Sequence, residues 1–353
     1  MKKAVLVCMV LLAASAALAQ TDRVVTPIPA EPTVRNAAVE PLRAAKLEAP
    51  DGETGLFGYS EMDFAGDGGA KCPQNSLIVG QDTGTGGGTY FFADLGYCDP
   101  ANPARCRRNT AESFPPKIAS DPSITQPIRC ISWYGSYITG DNNGCVKPAH
   151  SFRIRFYNDS GAPNYQPVIS SYVASFDVIA NARVVDTINW QGGGASLKYL
   201  FWVVLPSPVN MGRGHFSIVS NPPTTNCYHL LGHSTDGGDY RVWRWYETDN
   251  VLELRTQNDI GYCLGRYIPG SCCNDWTGNC DPNSDDFSCF YSADMGTTPP
   301  SGRFTTGACS SFDPLCGEMP GACCKADETC TPNMTRAACQ AIAGAYWRGP
   351  QTV

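Results

Sequence analysis

The sequence predicts an all-β protein, a jelly-roll-like β-sandwich followed by small disulfide-rich repeats. Glycine and proline occur 35 and 27 times in 353 residues, while charged residues make up only 17%. That composition favours many short strands joined by turns over helices. Apolar and polar residues alternate in numerous short segments, and the cysteines concentrate toward the C-terminal end. The first pattern predicts a sandwich, and the second predicts cross-linked modules after it.

The N-terminal segment predicts export. Residues 1–19 combine Lys2 and Lys3, an apolar run and a small-residue ending, as a secretory signal peptide does, with cleavage before Gln20. Residues 20–58 have no sustained period and predict a flexible linker, with a structured N-terminal strand as the alternative. No later stretch is long and apolar enough to cross a bilayer, so we expect a secreted, extracellular or cell-surface protein and not an integral membrane protein.

Residues 59–266 predict the sandwich. About ten short strands over some 200 residues exceed a simple immunoglobulin-like module and favour a larger jelly-roll-like one. Within 127–159, two alternating runs flank the turn sequence GDNNG and predict an antiparallel hairpin. The predicted strands are Leu77–Gly80, Thr89–Leu95, Ile128–Tyr137, Ser151–Tyr157, Tyr172–Ile179, Val184–Trp190, Tyr199–Leu205, Gly214–Ser220, Arg241–Tyr246 and Leu252–Thr256.

Residues 267–318 and 319–353 predict two cysteine-rich repeats, of which the second is incomplete. PGSCCNDWTGNC in the first copy corresponds to PGACCKADETC in the second, and the first copy alone has two further cysteines. The second copy is either short by nature or cut off. Neither copy has a C-x2-C knuckle or a histidine, so we expect disulfides and not zinc, with connectivity left open. The cysteines concerned are Cys272, Cys273, Cys280, Cys289, Cys309 and Cys316 in the first copy and Cys323, Cys324, Cys330 and Cys339 in the second.

The sandwich contains seven further cysteines. Cys98 and Cys106 flank a short loop and predict one disulfide. Cys130 and Cys145 lie on the two sides of the predicted hairpin and predict a second. The remaining three are Cys72, Cys227 and Cys263, and because seventeen cysteines follow the signal peptide, we expect one of these three to be unpaired.

No residue is predicted to be catalytic. His229 and His233 have the i, i+4 spacing of a zinc protease, but no Glu follows His229 and the surrounding glycines disfavour a helix. Ser234 lies in GHSTD, a near match to a nucleophile elbow that lacks the final glycine. A glycosidase needs two carboxylates facing each other across a cleft, and Glu247 and Glu253 are the candidates. The favoured interpretation is that both are solvated charges on a strand face.

Two binding interpretations remain. Trp133 and Trp190 are candidates for stacking on sugar rings, with burial in the core as the alternative; for Trp243 and Trp245 the core is favoured. The acidic run 281–286 is a candidate calcium site, although it lacks the glycine and glutamate of an EF-hand loop. Otherwise no cofactor is expected. The formal net charge of −7 argues against nucleic acid as a partner.

Several segments between Ala111 and Glu247 resemble an uncharacterised exported bacterial β-sandwich family. The resemblance lies in AESF, in WYGSY as a Trp-x-Gly-Ser-Tyr strand, in FRIRFYND as a Phe-x-Ile-x-Phe-Tyr-x-Asp strand and in WRW as a closing Trp-x-Trp strand. PGSCC and PGACC look like the GACC-type repeats that often follow such domains. The resemblance implies an exported sandwich and gives no functional residues to transfer. This chain departs from the family at AESF, where the family often has a second acidic residue, and by its extra cysteines Cys130 and Cys145.

These observations predict a non-enzymatic secreted or cell-surface protein with a structural or adhesive role. An extracellular protein or a polysaccharide is the expected partner class. A carbohydrate-binding module is the first alternative and a secreted hydrolase the second.

Overall fold

A computed structural model describes residues 72–350, apart from 74–75, 82–89, 100–101, 142, 148, 191–193, 222–225, 235–237, 240, 257–258, 276, 293–301, 313 and 326. The predicted signal peptide (1–19) and linker (20–58) lie outside the described residues.

Sixteen strands precede the cysteine-rich repeats in the described chain, and each of the ten predicted strands overlaps one of them. The strands are β1 (Leu77–Gln81), β2 (Phe91–Phe92), β3 (Asp94–Asp99), β4 (Asn102–Phe114), β5 (Ile128–Ile138), β6 (Ser151–Tyr157), β7 (Ala174–Ile179), β8 (Asn181–Asn189), β9 (Ala195–Val209), β10 (Gly214–Ser220), β11 (Tyr228–Leu231), β12 (His233–Ser234), β13 (Val242–Tyr246), β14 (Glu253–Arg255), β15 (Asp259–Ile260) and β16 (Tyr262–Gly265).

The first sheet is organised around β5. Strand β9 pairs along one edge of β5, while β16 and β11 pair in succession along the other edge. β8 extends the sheet beyond β9, β1 extends it beyond β16, and β2 pairs with β11. Nearly every residue of β5 is buried, on both faces of the strand. Such burial marks a strand at the centre of a sheet that is covered on both sides.

The second sheet has the order β14-β13-β4-β3-β10-β6-β7, and β4 also pairs with β10. The chain moves repeatedly between this sheet and the first one, since β4, β6, β10 and β13 belong here while β5, β9, β11 and β16 do not. A third, two-stranded sheet joins β12 to β15. The fold is therefore all-β and jelly-roll-like, as the sequence predicts.

The predicted hairpin of β5 and β6 is wrong, because the two strands lie in opposite sheets. Their apolar faces meet across the sandwich, where the rings of Trp133 and Phe152 pack edge to face with centroids 4.9 Å apart. Phe201 of β9 stacks on Trp133 from the same sheet at 5.4 Å. The alternating pattern identified the inner face of β6 but not that of β5, whose inward side chains include Ile131 and Trp133, while Cys130 and Tyr134 lie on the other face. An apolar face can also either adjoin another within a sheet or oppose it between sheets, and the pattern does not distinguish the two.

Three disulfides brace the sandwich, and they correct the sequence prediction. Cys98–Cys106 is confirmed. Cys145 pairs with Cys227 instead of Cys130, and Cys72 pairs with Cys263, so none of the three cysteines expected to supply the odd thiol does so. Cys130 is the free cysteine of the described chain, and it is buried. It packs with the side chains of the first repeat's helix on the outer face of β5, whereas Cys145 packs against the core between the sheets.

The two repeats share one architecture. In each, the strand that carries the adjacent cysteines is the centre of a three-stranded antiparallel sheet, and a short helix follows the second strand. The elements are β17 (Pro269–Asn274), β18 (Asn279–Asp285), α1 (Asp286–Ser292), β19 (Gly302–Thr305) and a 3₁₀ turn (Cys309–Ser311), then β20 (Gly321–Cys324), β21 (Cys330–Met334), α2 (Arg336–Gln340) and β22 (Tyr346–Pro350).

Disulfide connectivity is the same at one pair of repeat positions and differs at the other. Cys272–Cys289 of the first repeat corresponds to Cys323–Cys339 of the second. The first repeat also has Cys273–Cys316 and Cys280–Cys309, whereas the equivalent cysteines of the second repeat bond to each other as Cys324–Cys330. The second cysteine of each adjacent pair is therefore the one whose partner differs between the repeats.

Helix α1 joins the first repeat to the sandwich. Phe287, Phe290 and Tyr291 share a hydrophobic cluster with side chains on the outer face of the first sheet and with the Cys72–Cys263 disulfide. The hydroxyl groups of Tyr291 and Ser132 are 2.8 Å apart, so a hydrogen bond fixes the helix on β5. This contact explains why both faces of β5 are buried. No helix in the described part of the chain is long and apolar enough to cross a membrane.

Candidate functional site

The two tryptophans predicted to stack on sugars are core residues, so that prediction is wrong. Trp133 and Trp190 are 0% and 1% exposed. Trp133 fills the space between the two sheets. The indole N–H of Trp190 donates to Ser196 Oγ at 2.7 Å, and Tyr90 packs against its ring edge. A sugar ring cannot reach either indole in this fold.

Trp243 and Trp245 are buried, as expected, but on the outer face of the second sheet. Trp245 packs edge to face against Tyr157, with ring centroids 5.6 Å apart, and Ile169 and Leu252 cover the same cluster. The alternate residue Val242 points into the central core. The closing Trp-x-Trp strand is therefore covered on both faces and offers no flat aromatic surface.

The histidines and Ser234 do not form a metal or nucleophile site. His229 is fully buried in β11, where Phe152 and Tyr137 pack against its ring, and burial lowers its pKa well below the usual value. His233 and Ser234 form the two-residue strand β12, in which Ser234 is paired with Asp259. The helix that would place both histidines on one face, and the strand-turn-helix of a nucleophile elbow, are replaced by extended chain.

Glu247 and Glu253 are held in ion pairs. Glu247 contacts Arg107 at 2.7 Å and Arg155 at 3.1 Å. Glu253 contacts Arg105 at 2.8 Å and Arg244 at 2.6 Å. Partial burial acts to raise the pKa of Glu253, but the two arginines outweigh it and hold that pKa below its usual value. The contacts of Glu253 link β14 to Arg244 of β13 and to Arg105 of β4, so this carboxylate ties neighbouring strands of the second sheet together.

The acidic run 281–286 does not converge on a common point. Asp281 accepts a hydrogen bond from the backbone N–H of Asn283, and Asp285 accepts one from the backbone N–H of Ser288 in α1. Asp285 thereby caps the helix that docks on the sandwich. Among the described residues, neither group of potential metal ligands includes a member of this run.

One of those two groups is closed to metals. Cys273 and Cys316 lie beside Asp275, but the two sulfur atoms are joined in a disulfide, so no thiolate is left to bind zinc. The Asp275 carboxylate is neutralised by Arg303, whose Nε lies 2.5 Å from Oδ2. The arrangement is a structural ion pair beside a cross-link.

The other group is a buried cluster of three carboxylates that sequence reasoning missed. Glu112 of β4, Asp239 and Asp259 of β15 bring oxygen atoms within 4.8 Å of one another. The two oxygens of Glu112 accept backbone N–H bonds from Ser113 at 2.8 Å and Ile260 at 2.7 Å. The N–H of Arg241 is shared by Asp239 at 3.0 Å and Asp259 at 2.9 Å. We refer to these three residues as the acidic cluster.

The environment of the acidic cluster favours protonated carboxyl groups. Burial, with a smaller contribution from Asp259, raises the pKa of Glu112 well above its usual range and that of Asp239 to about 7. Carboxylates this close repel one another when they are ionised and desolvated, which favours the protonated forms of Glu112 and Asp239. Oxygen atoms alone suit a hard cation such as calcium. However, backbone N–H donors already occupy oxygen lone pairs of all three carboxylates, which leaves fewer of them for a coordination sphere.

A cleft of about 360 Å³ lies at the sandwich rim close to the acidic cluster. It is lined by Leu77–Val79 of β1, by Pro115 and by the segment 121–126. Asp121 is its one ionisable lining residue among those described, and its carboxylate accepts the backbone N–H of Lys117 at 2.9 Å. The cleft and the acidic cluster are linked through the segment after β4, since the N–H of Asp239 donates to the carbonyl of Pro116, the residue that follows the lining Pro115.

Little in the sequence could have pointed to this cluster. Glu112 lies more than a hundred residues before the other two members, and only Glu112 stands out, as an acid within the AESF strand.

Comparison with protein-family models, with curated proteins and with solved structures finds no match. The geometry and chemistry of this chain are therefore the basis for a functional proposal.

Proposed function

We propose that this chain is an exported, non-enzymatic protein with a structural or adhesive role at the cell surface or in the extracellular matrix. The observation that carries the proposal is the cross-linking. Eight disulfides are distributed over the sandwich and both repeats of the described chain. Such a density forms and persists in an oxidising compartment.

The contact between the sandwich and the first repeat supports a role in transmitting or resisting mechanical force. Helix α1 packs on the outer face of the first sheet, directly over Cys72–Cys263, and Arg183 donates to the backbone carbonyl of Tyr291 at 2.9 Å. The two parts thus share a hydrophobic contact, hydrogen bonds and a nearby covalent link. A rigid joint of this kind suits a protein that transmits or resists force better than a flexible pair of binding modules.

The side chains with catalytic potential also favour this proposal over a hydrolase. Glu247 and Glu253 are neutralised by arginines, His229 is surrounded by aromatic rings, and two of the three residues of the acidic cluster are buried. The partner class we propose is an extracellular protein or a polysaccharide, bound without Trp133 and Trp190. The negative net charge disfavours nucleic acid.

The proposal is tested on the full chain produced by secretion. We expect cleavage before Gln20, a non-reduced peptide map with the eight disulfides, and binding to matrix proteins or polysaccharides that is lost on reduction. Recovery of the repeats in reduced form, or with stoichiometric zinc, would overturn it.

A second arm addresses catalysis. The same protein is assayed on polysaccharide, ester and peptide substrates, where we expect no turnover. Turnover that is abolished by Asp239→Asn but kept by Asp327→Asn, a substitution in an exposed loop of the second repeat, would replace the structural proposal with a hydrolase centred on the acidic cluster.

A further inference from the structure

A lysine and an aspartate form an ion pair inside the sandwich. Lys147 Nζ lies 2.5 Å from Asp94 Oδ2, and the two side chains are 4% and 0% exposed. Asp94 begins β3 in the second sheet, and Lys147 lies in the connection that leaves β5 of the first sheet. Removing two charges from water costs more than their attraction usually returns. The surrounding structure must therefore hold these two groups together.

Backbone donors fix the carboxyl group. The N–H of Gly96 donates to Oδ1 at 2.7 Å, and the N–H of His229 donates to Oδ2 at 2.9 Å. The lysine is fixed as well, because Nζ donates to Ser220 Oγ at 2.7 Å. Ser220 is paired with Asp94 in the ladder between β10 and β3. Each reacting atom therefore has one defined position.

A disulfide positions the segment that carries the lysine. Cys145, two residues before Lys147, is bonded to Cys227, which lies two residues before His229. The same connection therefore brings Lys147 to the carboxylate that the N–H of His229 holds. This pre-organisation removes most of the entropy that two groups would lose on meeting.

We propose that Lys147 and Asp94 condense into an intramolecular isopeptide bond. A proton first passes from the Lys147 ammonium to the Asp94 carboxylate, giving a neutral amine and a neutral acid. The amine nitrogen then attacks the carboxyl carbon, which is one bond beyond the contacted oxygen. The C–N bond forms, one C–O bond of the carboxyl group breaks, and the oxygen leaves as water with one proton of the acid and one of the amine. The reaction consumes one ammonium and one carboxylate, produces one amide and one water, and needs no oxidant, reductant or co-reactant.

The site favours each stage of this condensation. Burial raises the pKa of Asp94 in spite of Lys147 and the two backbone N–H donors beside it, which favours the neutral acid that the condensation needs. Once Oδ2 has taken the proton of Lys147, negative charge in the tetrahedral intermediate develops on Oδ1, to which the N–H of Gly96 donates. Ser220 Oγ is placed to accept the proton that leaves the nitrogen. The final amide replaces two buried charges with a neutral group.

A second lysine and aspartate provide an internal comparison. Asp186 and Lys198 are directly opposite in the ladder between β8 and β9, but no hydrogen bond or ion pair joins them in the described structure, and Asp186 is exposed. The two residues are ladder neighbours, and the carboxylate accepts one backbone N–H, from Thr187 at 2.7 Å, but its exposure to water and the missing contact with Lys198 set this pair apart from the buried one. We expect no condensation there.

The bond would tie the two sheets together by a link that reductants do not cleave. It connects residues 53 positions apart, one at the start of β3 and one in the connection from β5. This inference is independent of the proposed function, because a cross-linked enzyme or binding module would carry it equally well.

The test is a peptide map of the secreted full chain after complete reduction, alkylation and digestion with trypsin and chymotrypsin. We expect one branched peptide joining the segment around Asp94 to the segment around Lys147, lighter by one water than the sum of the two. Fragmentation must place the branch at these residues. Recovery of both segments as linear peptides of full mass, or a branch from Lys147 to another carboxyl group, would overturn the proposal.

Two variants complete the design. Lys147→Arg keeps the positive charge but has no amine that condenses, so the branched peptide must disappear. Lys198→Arg is the matched control and must retain it. Because the decisive measurement is made on the unchanged protein, poor folding of the Lys147→Arg variant would not affect the result.

Discussion

The first repeat is expected to adopt the disulfide pattern of the second when its two later cysteines are removed. The change is Cys309→Ser together with Cys316→Ser. Cys273 and Cys280 are directly opposite in the ladder between β17 and β18, as their counterparts in the second repeat are between β20 and β21. The counterparts are bonded, so we expect a Cys273–Cys280 disulfide in the double variant.

The loss in free energy of unfolding of the double variant follows from the lengths of the loops that the disulfides close. Cys273–Cys316 closes 43 residues, which corresponds to about 4 kcal/mol of chain entropy. Cys280–Cys309 lies within that loop, so it adds less than the roughly 3.6 kcal/mol that its own 29 residues would give. The new bond closes only seven residues and returns about 2.3 kcal/mol. The net loss is therefore at most about 5 kcal/mol for this repeat.

The assay combines a non-reduced peptide map with urea unfolding followed through the aromatic residues of α1. The matched control adds Cys280→Ser to the double variant, which leaves Cys273 without its partner and lowers the free energy of unfolding by about a further 2 kcal/mol. The reasoning fails if the double variant folds but contains Cys273 and Cys280 as free thiols. It also fails if either residue bonds to a cysteine outside the first repeat.

Three other outcomes are expected. Trp133→Ala lowers the free energy of unfolding by about 3–5 kcal/mol because it leaves a cavity between the sheets. The control Tyr346→Ala, at an exposed position, changes it by less than about 0.5 kcal/mol. Denaturant titration distinguishes the two, and a Trp133→Ala protein of unchanged stability would contradict the core position of Trp133. Burial raises the pKa of Cys130 far above its usual value. Alkylation without reductant is therefore expected to label no thiol in the native protein and one thiol after unfolding. Labelling of the native protein would show that Cys130 is accessible. The folded-state pKa values of Asp239 and Glu112 are raised, so their protonated forms stabilise the fold at low pH, and the free energy of unfolding falls as pH rises from about 5 to 8. Asp239→Asn reduces the slope of this pH dependence. An unchanged slope would contradict the raised pKa of Asp239.

Strand positions were predictable where turn residues bracket an alternating run. The bounds of β6 and β10 agree with prediction at both ends. β9 was predicted to stop before Pro206 but continues to Val209. Prolines are tolerated there because the register between β5 and β9 shifts at the same place, so their missing N–H groups are not needed by the ladder.

Strands with charged residues were harder to find. β4 carries Arg105, Arg107, Arg108 and Glu112, and these charges obscure the apolar alternation that would have identified it. Arg108 and Glu112 nevertheless are buried, since each lies against other groups of the sandwich. Local pattern cannot reveal such pairing, because the compensating partners are distant in sequence.

The cysteine pairs show the same limit. Cys98–Cys106 closes a short loop and was predictable, whereas Cys145–Cys227 and Cys72–Cys263 depend on which strands adjoin in three dimensions. The acidic cluster and the contact between Asp94 and Lys147 escaped prediction for this reason too. Each is assembled by strand order, which composition and periodicity do not encode.

The Cys72–Cys263 link has a consequence for the timing of assembly. Its halves are 191 residues apart, and β16, which carries Cys263, is the neighbour that β5 needs along one edge. A chain that emerges from its N-terminus presents Cys72 together with Cys98 and Cys106 long before the correct partner exists. Oxidation in order of appearance would join the wrong sulfur atoms. Efficient maturation therefore requires either that oxidation waits for the last strand or that a thiol–disulfide exchange catalyst reshuffles early bonds.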